Sequence, residues 1–514
     1  MKRRSSWIWR ISVIGLIAAG LMPASAGADT HGHLTEADPY ITLHPDQPED
    51  ASVKAIITVG ESVGDVLFEG LPDGIGMTRG DDDGTDGDTV DVYVAHEQTT
   101  VPFRDEADFQ DASVTRLTLS TEEDHEGEVL AAEVVVGPEL GYKRFCSAAM
   151  AIEEEGFKNP VFFTGEESNA QILPPAEAPY GADPGIAPER QAGYVVAYDT
   201  VTGKSTPIPG MGRLNHENTI ALPGYNRIAM LTTDDTFSGP SAQLYLYLAA
   251  NQKKLLKDKG RLMAFQVTHD ENGRVDRWDP FNEANDYLDL QPGQEFRGRF
   301  IPVPKDIAKG TTDVAPQQAL EDWSNENNIF QFIRLEDLAY DKEDPNVVYI
   351  ADTGRSRVVP DTDTGRMKRG LSGTTGQADN GRVFKMVFNE NNPRKVTSLS
   401  ILAQGDDSGA GDYVEFVSPD NMDTSENSLM VQEDASNARP WRYDLEDETW
   451  EVVATVNDLG GESSGIVDAS EWFEDGAWLL DVQAHSTNVA SETIDGVTYK
   501  REDGQLMLMK IPDS

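Results

Sequence analysis

The chain of 514 residues carries 90 Asp and Glu against 42 Lys and Arg, a formal net charge of −48. Such a surface repels polyanions and excludes nucleic-acid binding through phosphate neutralisation. The 45 glycines and 28 prolines exclude a coiled coil, and 18 Phe and 8 Trp set in short β-rich runs exclude disorder throughout.

At the start, Lys2, Arg3, Arg4 and Arg10 accompany an apolar stretch, Ile11–Met22, followed by Ala24-Ser25-Ala26 and Ala26-Gly27-Ala28. A basic segment, a hydrophobic segment and a small-x-small cleavage signal predict a signal peptide over residues 1–28 and a single mature domain over 29–514. The apolar stretch, about twelve residues, is too short to span a bilayer comfortably. Arg3-Arg4 is a partial twin-arginine signal, so the Sec and twin-arginine routes both stay open. A periplasmic or secreted protein with no stable membrane span is expected. Its lone cysteine, Cys146, can form no intramolecular disulfide; outside the cytosol it is either buried and inert or held by something.

Asp81–Asp88 lacks the alternate acids and distal Glu of an EF-hand and reads as a solvated hairpin tip. From residue 114 onward, a short alternating strand followed or preceded by turn residues recurs. The copies are Val114–Leu119, Gly193–Tyr198, Gly260–Phe265, Gly381–Met386, Pro440–Tyr443 and Gly504–Met509. They fall about 60–80 residues apart, with one gap near 120. The spacing predicts an all-β fold, a β-propeller of six or seven four-stranded blades with six preferred, carrying loop and helical insertions. Two β-sandwiches are the alternative, but no Pro/Gly/Ser-rich linker separates two halves. Helix is expected at Gln243–Lys257 and Gln317–Asp322.

Five strand ends carry neighbouring polar residues: His96-Glu97, Glu166-Glu167, His216-Glu217, Arg334 with Glu336-Asp337, and Glu433-Asp434. Singly, such acids are usually solvated turn residues. In a propeller, strand ends converge on one mouth of the central channel, where these side chains would surround one site. Many hard oxygen donors in one place point to Ca2+ or a similar cation, with an arginine left for an anion. There is no Gly-x-Ser-x-Gly, His-Glu-x-x-His, Cys-x-x-Cys or Gly-x-x-x-x-Gly-Lys.

Taken in order, six segments resemble the PhoX-type alkaline phosphatases, exported β-propeller phosphomonoesterases with a mixed iron–calcium cluster. They are Leu71–Gly76 with Val94–Glu97, Phe145-Cys146-Ser147 with Thr164–Glu167, and Gly212–Glu217 with Thr233-Asp234-Asp235. Arg334–Asp337, Ser418–Asn421 with Glu433-Asp434, and Asp481–His485 complete the series. The sequence departs from the family pattern at Ala95, Phe145, Ala148, Ala149 and Leu335. The resemblance implies Fe3+ and Ca2+ as cofactors, with Cys146 a thiolate ligand to iron and Glu217 and Glu336 shared between iron and calcium. It further implies Glu166, Glu167, Asp337 and Glu433 as ligands, His96, Glu97 and His216 as orienting neighbours, and Arg334 as the residue that grips phosphate. The expected reaction is metal-assisted hydrolysis of small-molecule phosphate esters by a monomer. The alternatives are a non-catalytic calcium-binding propeller, or a calcium-dependent propeller hydrolase of another ester class, a lactonase or phytase.

Overall fold

Runs of Val, Ile, Leu, Tyr and Phe between glycine- and aspartate-rich turns form antiparallel strands, grouped in fours. The computed structural model describes residues 32–80, 88–97, 107–108, 112–168, 192–236, 240–457, 461–494 and 497–512. The expected signal peptide and all of the expected hairpin tip except Asp88 lie outside these. The first quartet comprises Pro72–Arg79, Thr89–His96, Ser113–Ser120 and Val129–Val136. The second comprises Phe145–Ala151, Val161–Glu166, Val195–Asp199 and Lys204–Pro207. His216–Leu222, Ile228–Asp234, Tyr245–Ala249 and Arg261–Asp270 make the third. Leu335–Tyr340, Val347–Asp352, Arg382–Asn389 and Asn392–Gln404 make the fourth, joined to the third through Phe296–Pro302 in one ten-stranded sheet. The fifth holds Pro419–Thr424, Ser428–Glu433, Trp441–Asp444 and Thr449–Val452. Glu462–Asp468, Ala477–Ile494 and Val497–Lys510 form the last, completed by Ser52–Thr58 from the other end of the chain.

The first strand of each quartet lies beside the first strand of the next, and the last returns to the first. Inner strands thus ring a central axis while the others step outward, the arrangement of a β-propeller. Apolar cores fill the gaps between successive quartets. Phe163 and Val195 meet Met230 and Tyr247 across one gap, and Leu231 and Phe265 meet Ile350 and Phe384 across the next.

Both faces of such a sheet are buried, which accounts for the one misassigned helix. Within Gln243–Lys257, residues Tyr245–Ala249 are a strand, and only Gln252–Leu255 are helical. Tyr245, Tyr247 and Ala249 enter one core while Leu246 and Leu248 enter its neighbour, giving a continuous apolar run that periodicity alone does not separate from a helix. The helix expected at Gln317–Asp322 is present as Pro316–Glu326 in the insertion between the third and fourth quartets. The recurring hairpin signal in the sequence marks outer strands, the third of a quartet in five cases and the fourth at Arg261–Asp270.

Candidate active site

One irregularity repeats at the mouth of the ring. On each inner strand two residues stand opposite one on the second strand, a β-bulge of one extra residue. The shifts fall between Pro72 and Ile75, Phe145 and Ala148, His216 and Thr219, Leu335 and Leu338, Pro419 and Met422, and Ser463 and Ile466. A bulge re-aims a side chain out of the pleat. The residues inside these bulges are Asp73-Gly74, Cys146-Ser147, Glu217-Asn218, Glu336-Asp337, Asp420-Asn421 and Ser464-Gly465. A Cβ on Gly74 would stand 2.1 Å from the Ala148 nitrogen, and one on Gly465 2.2 Å from the Asp73 carbonyl, so glycine is what lets these inner strands close up.

The second strands contribute the residue just past their last pairing. The N–H of Glu97 donates to Leu71 O (2.8 Å), that of Glu167 to Arg144 O (2.9 Å), and that of Asp235 to Asn215 O (3.0 Å). Thr353 binds Arg334 O (3.0 Å) and Asp434 binds Ser418 O (2.9 Å) in the same way. Five quartets therefore repeat one hydrogen bond that fixes a strand end against the start of an inner strand.

From the bulges Asp73, Cys146, Glu217, Glu336 and Asp420, and from the second strands Glu97, Glu167 and Asp434, line a cavity of about 420 Å³. Four groups of donor atoms are close enough to hold a cation: Asp73, Glu97 and Cys146; Cys146, Glu167 and Glu217; Glu217, Glu336 and Asp420; and Asp420, Asp434 and Glu462. Neighbouring groups share Cys146, Glu217 and Asp420. Two arginines stand at equivalent positions, immediately before the inner strands of the second and fourth quartets. Arg144 pairs with Glu97 and, at 2.8 Å, with Glu167. Arg334 is held by Asp235 through Nε (2.7 Å) and Nη2 (2.5 Å), with Glu336 3.4 Å from Nη2.

The electrostatics of this cavity are severe. Glu167, Glu217, Glu336, Asp420 and Glu462 are all pushed well above the carboxylate range, by burial first and then by one another and by neighbouring acids. Asp73 is pushed up to about 7, by burial and then Glu97. Burial, then Asp73 and Glu217, raises the Cys146 thiol, whose Sγ donates to Asp73 Oδ2 at 3.3 Å. Burial alone would lower Arg334, but Asp235 and Glu336 hold it firmly charged. Glu217 Oε1 and Glu336 Oε1 are buried without a hydrogen bond, a costly state that only Glu336 offsets in part, through Arg334 at 3.4 Å. The donor set, one thiol among carboxylate oxygens, fits hard cations with a position for a softer one.

Of the side chains expected at the site, Cys146, Glu167, Glu217, Arg334 and Glu336 come together here. Glu97, expected as an orienting neighbour, belongs to a donor group itself. The others turn away. Glu166 accepts from the N–H groups of Lys143 (2.8 Å) and Tyr194 (3.0 Å). Asp337 accepts from the N–H of Met422 (3.0 Å) and from Ser147 Oγ (3.2 Å). Glu433 takes Trp441 Nε1 (3.0 Å), the Val417 N–H (3.0 Å) and Arg439. None of these three lies in a donor group among the described residues. His96 bonds Glu69 O and Thr115 Oγ1, His216 bonds Thr232 Oγ1 and Gly212 O, and burial lowers both, to about 4 and about 3. Asp73, Arg144, Asp420 and Glu462 were not expected as site residues, and Asp434 was expected there only as half of the Glu433-Asp434 strand end. The signal that finds Asp73 and Asp420 is the repeated start of the inner strands, Pro72-Asp73-Gly74 and Pro419-Asp420-Asn421.

A family model described as alkaline phosphatase PhoX matches residues 153–455, more than half of the chain. No curated protein matches. Among solved structures, the Penicillium chrysogenum alpha-L-arabinanase complexed with arabinobiose is similar at 8% identity and TM-score 0.38, over 86% of this chain and 93% of its own. The GH93 alpha-L-arabinofuranosidase of Fusarium graminearum is similar at 8% identity and TM-score 0.33, over 85% and 92%. Likeness at that level has no bearing on activity.

Proposed function

The chain belongs to the alkaline phosphatase PhoX family, and from that premise we propose that it hydrolyses phosphate monoesters in a metal-dependent reaction outside the cytoplasm. The observation that carries this reading is the convergence of four cation-sized donor groups and Arg334 on one cavity. Cys146, with Asp73, Glu97, Glu167 and Glu217, would hold Fe3+, because a thiolate suits iron better than calcium. The all-carboxylate groups around Glu336, Asp420 and Glu462 would hold Ca2+. When bound, such cations act as Lewis acids on a phosphoryl group.

The chain's own residues supply binding and orientation. Asp235 grips Arg334 through two nitrogens and fixes the plane of the guanidinium, so that it meets phosphoryl oxygens without first having to be ordered. Glu336, beside it, ties the arginine to the donor groups. No serine, threonine, lysine or tyrosine lines the cavity among the described residues, in keeping with a reaction that forms no ester on a side-chain hydroxyl. Export rests on the basic, apolar and small-x-small order of residues 1–28; among the described residues no helix is long and apolar enough to cross a membrane. A calcium-binding propeller without activity would have no use for a thiol in the donor set or for an arginine braced toward it.

The test is turnover of p-nitrophenyl phosphate at alkaline pH by protein loaded with iron and calcium, together with metal analysis. Turnover abolished by a calcium chelator is the expected result. Absence of turnover with both metals bound would leave the non-catalytic reading ahead.

A further inference from the structure

Basic side chains are scarce in this chain, 42 against 90 acids, and most of those near the ring are matched. Arg116, Arg144, Arg439 and Arg442 each meet a carboxylate. A group beside Arg334 is different. The fourth quartet's second strand ends at Asp352, whose carboxylate accepts from the N–H groups of Ile333 (2.9 Å), Arg334 (3.2 Å) and Gly354 (3.0 Å). That clamp ties the following loop, residues 353–357, to the backbone of Arg334. Arg355 N–H donates to Ala378 O (2.7 Å). Arg357 is held in a left-handed conformation (φ 69°), its N–H on Asp379 Oδ1 (3.2 Å) and its carbonyl accepting from Gly370 (2.7 Å). Arg369 is placed next to it by the pairing of Val358 with Arg369.

Arg355, Arg357 and Arg369 form no ion pair among the described residues, although acids outnumber bases by more than two to one. The Arg355 Nε is shut off from solvent and has no hydrogen-bond partner. Burial, then Arg369 and Arg334, pushes Arg355 below the ordinary guanidinium range against the pull of Asp235, both of whose oxygens are already engaged by Arg334. Three arginines without a carboxylate partner among the described residues thus stand on and beside a loop that Asp352 ties to the backbone of Arg334.

We propose that Arg355, with Arg357 and Arg369 behind it, is a subsite for a second anionic group of the substrate. The preferred class is then phosphate esters that carry a further phosphate or carboxylate close to the phosphoryl group that Arg334 takes. This rests on the phosphatase reading above, and it adds a specificity which that reading does not contain.

A pair of non-hydrolysable ligands separates the two. Methylphosphonate carries one anionic group, and phosphonoacetate adds a carboxylate. Calorimetry on the metal-loaded protein should show phosphonoacetate bound at least tenfold more tightly, roughly the worth of one charge-assisted hydrogen bond. Arg355→Ala should erase that ratio and Arg355→Lys should keep part of it, with the thermal transition checked to confirm folding. Equal affinities in the unaltered protein, or a ratio that survives Arg355→Ala, would overturn the subsite. In parallel, the kcat/KM ratio of 3-phosphoglycerate to glycerol 3-phosphate should fall about tenfold in Arg355→Ala. If no ester is turned over at all, the phosphatase reading fails, while the phosphonate ratio still decides the subsite.

Discussion

Arg334 has its orientation set before any ligand arrives, since Asp235 engages both Nε and Nη2. Lysine preserves the charge but offers no planar fork. Arg334→Lys is therefore expected to raise the barrier by about 2–4 kcal/mol, seen mainly in kcat, as for loss of a preorganised donor elsewhere. Metal content must be measured alongside, and a metal-replete variant with ordinary kcat would show that Arg334 only pairs with its acids. Cys146 gives a second test. Its Sγ belongs to two donor groups at once, so Cys146→Ala should lose iron while removing only a small side chain, at a stability cost of about 1 kcal/mol. Full iron content in that variant would return the thiol to a packing role. Both residues were legible in the sequence, Cys146 because a lone thiol behind the expected signal peptide needs an explanation and Arg334 because it stands next to a pair of acids. Arg144 was not, since nothing in Lys143-Arg144-Phe145 shows that the backbone turns left-handed there (φ 52°) and carries the arginine to the cavity rim.

At the level of the strand, adjacent acids divide their work. Successive side chains on a strand point to opposite faces, so of Glu166-Glu167 one braces backbone N–H groups and the other reaches the cavity. Sequence reasoning finds the pair but not its orientation, because the inner-strand bulge that sets which residue faces the mouth is a matter of pairing register. The division is measurable. Glu166→Ala should remove the acceptor of the buried Tyr194 N–H and of the half-buried Lys143 N–H and destabilise by about 1–3 kcal/mol without removing a cavity ligand. Glu167→Gln should lower metal content and leave the metal-free protein as stable or more so, since it relieves repulsion among buried acids. Swapped outcomes in a denaturation and metal-content pair of measurements would mean the register is misread. The propeller itself was visible through its outer strands, whose turns are rich in Gly, Asn and Asp; the first and second strands of the quartets, which line the cavity, were found only as scattered polar pairs.

For the whole molecule, the buried acids make stability depend on pH in the absence of metal. Burial lifts Asp73 to about 7 and Asp337 to about 8. Both values lie above the unfolded carboxyl value of about 4, so the folded chain binds more protons than the unfolded one at neutral pH. Their contribution is fully present below about pH 4 and is lost as pH rises through 7 and 8. Chelator-treated protein should therefore melt at lower temperature at about pH 9 than at pH 5, and calcium should reduce that difference by taking the place of protons in the cavity. A chelated protein more stable at the alkaline end would contradict the charge arrangement. The ring also has a seam. Ser52–Thr58 pairs with Val497–Lys510, register Ser52 to Lys510, so the last quartet is assembled from both ends of the chain. A partly synthesised or partly translocated chain thus has no closed ring, and its carboxylates stay in water with ordinary affinities for protons and none of their shared geometry. Joining ends this far apart in sequence is slow, because the loop-closure entropy is paid before the pairing offsets it. If the cavity takes cations as proposed, whichever compartment holds the chain when that seam zips shut is the one whose ions would fill it.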